Sequence, residues 1–417
     1  MNSEIVKLNE AQIFEFVEIN VKAYPGFGPF DAAKKDEIVK KNCKIQAEEA
    51  GINFYGLYRE EKLLGVMQLY DFVMRFSGMD IVAGGIGSVA VDMLHKKEKV
   101  CKEIISFFLK HYKERGYAIT ALYPFRPDFY KSMGFGYGTK MNQYRIKPSS
   151  FCGNKSKQHI VYLKEENKEQ MIACYNRYMN KTHGMIKKIR NDLDSMFLPD
   201  RFAVGFMKDD TVYGYAIMRF EKSKHANPLI NDLVIEELIY ENVEVLGELS
   251  AFLNSQADQV RDVIYNTQDD NIHYLLSDVR NGSPNLIPSI YHESNIQGVG
   301  LMYRVIDVRG IFDTLSEHDF GGQSCKIKFK MQDDFFAENS GDVVVRFDSG
   351  KAQVYKKLDY DVEVSMDISN FSSLIMGCVS FKSLYNYGLL HISDLAYLDI
   401  VNKIFLTEQK PMCITKF

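Results

Sequence analysis

The chain has 417 residues, 46% apolar and 25% charged, a globular balance that calls for two or three domains of roughly 100 to 200 residues rather than one core. Fifty-one Lys and Arg against 55 Asp and Glu leave a net charge of −4, which excludes a global electrostatic pull toward nucleic acid or an anionic membrane. Seven scattered cysteines (Cys43, Cys101, Cys152, Cys174, Cys325, Cys378, Cys413) with no CxxC pair exclude a disulfide framework and the usual zinc spacing, and fit a reducing compartment.

The opening "MNSEIVKLNEAQ" lacks the basic and apolar regions of a signal peptide, and no apolar run reaches the ~18 residues of a membrane span. The expectation is a cytoplasmic protein without a membrane partner. In "FYGLYREEKLLGVMQLYDFVMRF" two strands meet at the charged turn Arg59 to Lys62, and "MDIVAGGIGSVAV" is a further strand interrupted by glycines. A helix is predicted from about Lys96 to Lys113, with Val100, Ile104, Phe107, Phe108 and Tyr112 as its apolar stripe. "YAITALY" then supplies a strand ended by Pro124 and Pro127, so strand, helix and strand form a parallel unit of mixed α and β class.

The polar stretch "IKPSSFCGNKSKQ" marks a boundary near residue 150. After it come strands "RFAVGFMK", "TVYGYAIMRF" and "LVIEELIY" and a helix through "NVEVLGELSAFLNSQADQVRDV", an order like that of the first portion without sequence identity to it. From about Val305 the pattern changes to strands in "SCKIKFKMQDD", "GDVVVRFDSG" and "KAQVYKKLDYDVEVSMDIS". Helices follow in "FSSLIMGCVSFKSLYNYG" and "DLAYLDIVNKIF", and "MCITKF" closes in strand-like register.

The stretch "GGIGSVAVDMLHKKEKVCKEII" carries the most chemistry. A glycine-rich strand entering a helix presents backbone N–H groups and dipole charge to an anion, the usual way of holding a pyrophosphate. Lys96, Lys97 and Lys99 crowd the start of that helix, where cations oppose the dipole, so a negative ligand there compensates them; a solvated charge run explains the same residues.

These residues resemble the GNAT acyltransferases, whose signature is a V-x-V strand followed by an R/Q-x-x-G-x-G/A loop around the pyrophosphate of acetyl-CoA. Val89, Ala90 and Val91 fill the strand, and Lys96, Lys97, Glu98, Lys99, Val100, Cys101 and Lys102 fill the loop. Lys99 stands where the first glycine is expected and Cys101 where the last small residue is. In "PFRPDFYKSMGFGYG" the residues Tyr130, Gly134 and Phe135 match Tyr-x-x-x-Gly-Phe, which implies Tyr130 as general acid toward the CoA thiolate, with Phe125 and Arg126 lining the cleft. A phenol of pKa about 10 donating to a thiolate of conjugate pKa about 8.5 is uphill by roughly 2 kcal/mol, so the transfer accompanies C–S cleavage.

The whole-chain order is similar to the Eis-type acetyltransferases. That resemblance implies an α+β (mixed α/β) class: a GNAT acetyl-CoA-binding catalytic domain over 1–150, a second, degenerate GNAT-like domain over 151–304 and a sterol-carrier-protein-like domain over 305–417. It rests on "GGIGSVAVD" and "FYKSMGFGYG", on "FLNSQADQV" and "LMYRVIDVRGIF", and on "DISNFSSLIMGCVSFKSLYNYG". It also implies that the terminal carboxylate, here on Phe417, reaches into the first domain's active site as general base or amine anchor, although its reference pKa of about 3.3 to 3.7 makes it a weak one.

The implied function is acetyl transfer from acetyl-CoA to an amine, with aminoglycosides, polyamines and lysine-like amines as the candidate acceptors, and with a homo-oligomer, often a hexamer, as the assembly. Asp31, Glu48 and Glu49 are candidates for amine recognition, while Lys416 beside the terminus repels polycations unless it turns outward. Nine histidines scattered singly, without HxxxH spacing, give no metal site, and no interleaved basic and aromatic array indicates nucleic acid. Competing readings are a catalytically impaired acyl-CoA- or lipid-binding protein of the same fold, and a transferase for a longer acyl chain or a peptide terminus.

Overall fold

The computed structural model describes residues 3–28, 30–152, 156–188, 197–222, 229–357 and 359–417. By its internal contacts the chain divides into two compact units. One comprises Met1–Gly138, Gly300–Pro411 and Lys416–Phe417, and the other Thr139–Val299 with Met412–Thr415.

The first unit begins β1 (Ser3–Lys7), α1 (Ile13–Ala23), α2 (Ala32–Glu48), β2 (Ile52–Arg59), β3 (Lys62–Phe76), β4 (Met79–Val91), α3 (Val100–Glu114), β5 (Ile119–Leu122), α4 (Pro127–Lys131) and β6 (Gly136–Tyr137). The two strands expected around Arg59 to Lys62 form a hairpin whose loop residues Glu60 and Glu61 both have positive φ (47° and 65°), the twist-matched geometry of a two-residue turn. Ile104, Ile105, Phe108, Leu109 and Tyr112 of α3 are fully buried in the core below β3 and β4, at about 1.5–3 kcal/mol of transfer free energy each. The helix starts at Val100, not at Lys96, because Lys97 and Lys99 adopt left-handed φ of 68° and 65°, which no α-helix accommodates. The basic residues therefore lie in the loop ahead of the helix, and its first turn carries Glu103.

The second unit holds β7 (Met141–Ile146), β8 (Ile160–Leu163), α5 (Lys168–Met179), β9 (Arg201–Lys208), β10 (Thr211–Lys222), β11 (Asn231–Tyr240), α6 (Val243–Asn254), β12 (Val260–Thr267), β13 (Leu286–Ile287), β14 (Tyr291–His292) and β15 (Asn295–Gly298). Its seven-stranded sheet runs β15-β7-β12-β11-β10-β9-β8, with β11 and β12 parallel. The long helix expected through "QADQVRDV" stops at Asn254, and Val260 onward is β12: Val260 and Asp262 to Ile264 are buried, a run that suits a central strand rather than a one-faced helix.

The first unit resumes with β16 (Met302–Val305), α7 (Val308–Thr314), β17 (Cys325–Gln332), β18 (Gly341–Asp348), β19 (Lys351–Tyr355), β20 (Val362–Asp367), α8 (Ile368–Ile375), α9 (Phe381–Asn386), β21 (Leu390–Ile392) and α10 (Leu398–Ile404). Strand β16 inserts between β5 and β6, completing a sheet of order β1-β2-β3-β4-β5-β16-β6. The two seven-stranded sheets thus share one plan: an antiparallel run, one parallel pair, then antiparallel strands. Strands β17 to β21 make a third sheet of order β19-β18-β17-β20-β21.

Boundaries expected at 150 and 304 differ from this division, which falls at Gly138/Thr139 and Val299/Gly300. The reason is strand placement: β7 pairs with β12 of the second sheet, and β16 pairs with β5 of the first. The region after 305 is not separated from the first unit. Arg304, fully buried on β16, pairs with the equally buried Asp333 beyond β17 at 2.8 and 2.9 Å and donates from Nε to the Met133 carbonyl at 2.9 Å. Part of the stretch read as the first boundary, residues 153–155, lies outside the described residues. The closing "MCITKF" forms no strand.

Candidate active site

The site grows from a break in β4. Opposite β3 the register runs Val66 to Ala90 but Gln68 to Gly87, so Ser88 and Val89 face a single residue, and Ser88 takes φ 51°. Such a bulge bends a strand and ends its pairing. On its other side β4 pairs in parallel with β5 only at Gly84–Thr120, Gly85–Ala121 and Ile86–Leu122. Beyond that point the two strands are unpaired. From α1, Tyr24 donates its hydroxyl to the Val89 carbonyl at 2.6 Å, and Asn20 donates to the Ser88 carbonyl at 3.2 Å, holding the opened strand.

Two cavities lie at this opening and share Tyr24, Val89 and Phe125. One, about 460 Å³, is lined by Val89, Ala90, Val91, Lys96, Lys97, Lys99, Val100, Cys101, Lys102, Phe125 and Arg126, together with Ala23, Tyr24, His95 and Phe129. These include every residue expected at the cofactor except Glu98. Glu98 is absent from the lining, and its carboxylate takes a hydrogen bond from Arg59 at 3.2 Å, while Arg59 also binds Glu103 at 2.6 Å. With both acids so engaged, the loop keeps its positive charge: among the described residues no ion pair joins Lys96, Lys97, Lys99 or Lys102 to an acid. Lys99 is the N-cap of α3 and makes no side-chain cap bond, and the first backbone bond returning to it comes from Glu103 at 3.0 Å. The N–H groups of Val100, Cys101 and Lys102 are therefore open to an anion. Burial pushes the Cys101 thiol up to about 11, so it stays protonated and is a poor nucleophile.

The other cavity, about 470 Å³, brings Tyr130 and Phe417 together. Tyr130 is 3% exposed on the short α4, and the turn behind it is closed by Gly134 at φ 83°. A side chain there meets Ile368 and the Arg304 guanidinium, which explains the glycine of the Tyr-x-x-x-Gly-Phe pattern. Burial raises the Tyr130 phenol above its ordinary pKa, with Cys101 and Tyr24 adding to the shift. The Phe417 ring packs edge-on or tilted against Tyr70, Phe72 and Tyr123 at centroid distances of 5.6, 4.8 and 5.1 Å. Lys416 is exposed.

Sequence reasoning missed much of this second lining: Asn20, Tyr24, Phe27, Phe30, Gly87, Ser88 and Tyr123. The signal was "AYPGFGPF", aromatics separated by glycine and proline ahead of a helix, the composition of a binding loop. The acidic candidates do not reach the cavity. Asp31 caps α2 by accepting the Lys34 N–H at 2.8 Å, Glu48 pairs with Lys44 at 3.8 Å, and neither they nor Glu49 appear in the lining.

The second unit, on the same sheet plan, is closed where the first is open. Asn242 caps α6 by accepting the Val245 N–H at 3.1 Å, and Glu244 occupies the first turn, so that helix start is satisfied and acidic. Met412 and Cys413 donate backbone N–H groups to the His183 carbonyl (2.7 Å) and Gln268 Oε1 (2.6 Å), and Ile414 packs against the core cluster containing Tyr175, Tyr215 and Ile239. Among the described residues there is no group of three His, Cys, Asp or Glu able to hold a metal, and no helix long and apolar enough to cross a membrane.

A split sheet with an uncapped, basic helix start at the split is the frame of an acyl-CoA-dependent transferase. Family models agree: residues 4–138 match an acetyltransferase (GNAT) domain, 178–305 a second acetyltransferase (GNAT) domain, and 313–414 a sterol carrier protein domain. No curated protein sequence matches the chain. Solved structures that share the fold over 100% of both chains include a GCN5-related N-acetyltransferase from Anabaena variabilis (18% identity, TM-score 0.82), a probable N-acyltransferase from Enterococcus faecalis (18%, 0.80) and Eis1 from Mycobacterium abscessus (17%, 0.77). The chain thus carries two GNAT acetyltransferase domains followed by a sterol carrier protein domain, and it shares its fold along its whole length with these structures.

Proposed function

We propose that this enzyme transfers the acetyl group of acetyl-CoA directly to an amine, and that the first unit performs the reaction. The observation that carries the reading is the meeting of Tyr130 and Phe417 in one cavity that adjoins the basic cavity at the β4–β5 opening. Acetyl-CoA is the co-substrate. Its pyrophosphate fits the open N–H groups of Val100, Cys101 and Lys102 and the charge of Lys96, Lys97, Lys99 and Lys102. Its pantetheine arm runs along Val89, Ala90 and Val91, with Phe125 and Arg126 on the far wall.

The acceptor amine, as free base, attacks the thioester carbonyl, and backbone N–H groups of the bulged strand after Val89 polarise that carbonyl. The C–N bond forms, the C–S bond breaks, and Tyr130 gives its proton to the departing sulfur. The proton lost from nitrogen passes to the Phe417 carboxylate, directly or through a water. Direct transfer is favoured over an acyl-enzyme because Cys101, the thiol lining the cofactor cavity, is held protonated by burial. The satisfied helix start of α6 supports a non-catalytic role for the second unit.

A lipid-carrier reading finds little support in the region after 305. Phe312, Phe320, Phe329, Phe347, Phe371 and Phe405 are buried there and pack against one another at centroid distances of 5.2 to 6.3 Å.

The test is steady-state turnover of an amine panel by the native chain, by Tyr130→Phe and by a version extended a few residues beyond Phe417. Loss of a general acid lowers kcat by roughly 10²- to 10⁴-fold, and the extended chain is expected to be similarly impaired. An extended chain as active as the native one removes the carboxylate from the mechanism and leaves the transferase intact.

A further inference from the structure

The acceptor cavity has the chemistry of a site for one positive charge on an apolar body. Its described lining holds the rings of Tyr24, Phe27, Phe30, Tyr123 and Phe125 beside Tyr130, and no Asp or Glu side chain. Among the described residues, the one anion lining the site is the carboxylate of Phe417. Acids on the flanking elements are engaged elsewhere: Glu18 of α1 pairs with Lys35 (2.6 Å) and Lys22 (3.5 Å), Asp31 caps α2, and Asp128 of α4 pairs with Arg126 (2.5 Å). Positive charge prevails on the cofactor side, where the adjoining cavity is lined by Lys96, Lys97, Lys99 and Lys102, which among the described residues pair with no acid.

We infer that the acceptor is a monoamine with an apolar or aromatic body, an arylalkylamine or alkylamine, and not a polycation such as a polyamine or an aminoglycoside. This rests on the acetyltransferase reading and deepens it. A single ammonium approaching the cavity finds the terminal carboxylate and ring faces that attract a cation through their quadrupoles, while its body replaces water against phenyl surface. A second or third ammonium finds no counter-charge, so it either enters the aromatic lining unpaired or stays outside facing lysines. Phe27, 83% exposed yet part of the lining, stands where a longer acceptor passes.

The experiment measures kcat/KM at saturating acetyl-CoA for phenethylamine and hexylamine against spermidine and kanamycin, following both CoA release and the acetylated product by mass. The two monoamines are expected to exceed the two polycations by tenfold or more. Phe27→Asp, which adds a carboxylate at the cavity edge, is expected to narrow that ratio at least fivefold. Turnover of the polycations as fast as the monoamines overturns the inference and leaves the acetyltransferase standing, and so does a ratio unmoved in Phe27→Asp. Acetyl-CoA binding with no amine acetylated overturns both.

Discussion

The carboxyl carbon of Phe417 lies 2.9 Å from the point where a Cβ on Gly87 would stand. Gly87 has no need of a left-handed φ; its missing side chain makes room for the carboxyl group of Phe417. Tyr70 closes the same space, its hydroxyl 3.3 Å from that point.

Gly87→Ala therefore tests the terminal carboxylate without touching Tyr130 or the cofactor loop. The added methyl group displaces the carboxyl group by a few tenths of an ångström or turns it aside. Since small misplacements of a reacting group are costly, kcat is expected to fall by about 10- to 100-fold. KM for acetyl-CoA should hold. A kcat equal to that of the native chain places the carboxylate outside the reaction.

Lys99→Gly addresses the loop where the sequence departs from the family pattern. Lys99 already has the left-handed conformation that glycine prefers, at a strain of roughly 1–2 kcal/mol. Glycine relieves that strain, part of the gain being offset by its freer unfolded state, so a net rise in stability of about 0.5–1 kcal/mol is expected in denaturant melts. The same change removes one unpaired cation from the cofactor cavity. KM for acetyl-CoA should then depend less steeply on salt, because one fewer charge faces the phosphates.

Much of this was legible in the sequence, and the limits are physical. Strand and hairpin positions followed from alternation and turn residues, and β4 and the start of α3's stripe fell where local patterns put them, whereas Tyr130 was singled out by the family resemblance alone. Strand exchange was not legible: nothing in "MYRV" says that it pairs with β5, some 180 residues earlier, because pairing depends on register across the sheet rather than on local pattern. The helix start at Val100 was missed because positive φ at two lysines is a tertiary outcome that propensity disfavours. The aromatic lining around Phe417 was missed because Tyr24 and Tyr123 carry no shared motif and meet only when the segments that follow α1 and β5 are assembled.

Arg304→Met tests how β16 fixes the turn that carries Tyr130. Asp333 accepts two bonds from Arg304 and further bonds from the Phe336 N–H and Asn339, all away from water. Removing one partner of such a pair leaves a buried charge, so a loss of about 3–5 kcal/mol is expected in chemical denaturation. Arg304 also holds the Met133 carbonyl beside the Tyr130 turn, so kcat should fall in whatever protein folds. Arg304→Met combined with Asp333→Asn, which removes the stranded charge and keeps an acceptor for the Phe336 N–H, is expected to recover part of the stability and little of the rate, separating the two roles.

The pH dependence follows from the direction of two shifts. Burial raises the Tyr130 phenol above its usual value, and a neutral acid with a raised pKa keeps its proton to higher pH, so the general acid stays loaded through and beyond pH 9. Cys101, pushed up to about 11, also stays neutral over that range. The acceptor, in contrast, must lose a proton before it attacks, so kcat/KM for an amine of ordinary pKa should climb with pH as free base accumulates. The expected profile is a single rising limb from pH 6 to 9.5 with no falling limb. A fall centred near pH 8 to 9 would mean a proton donor of lower pKa than the buried phenol, and would remove Tyr130 from that role.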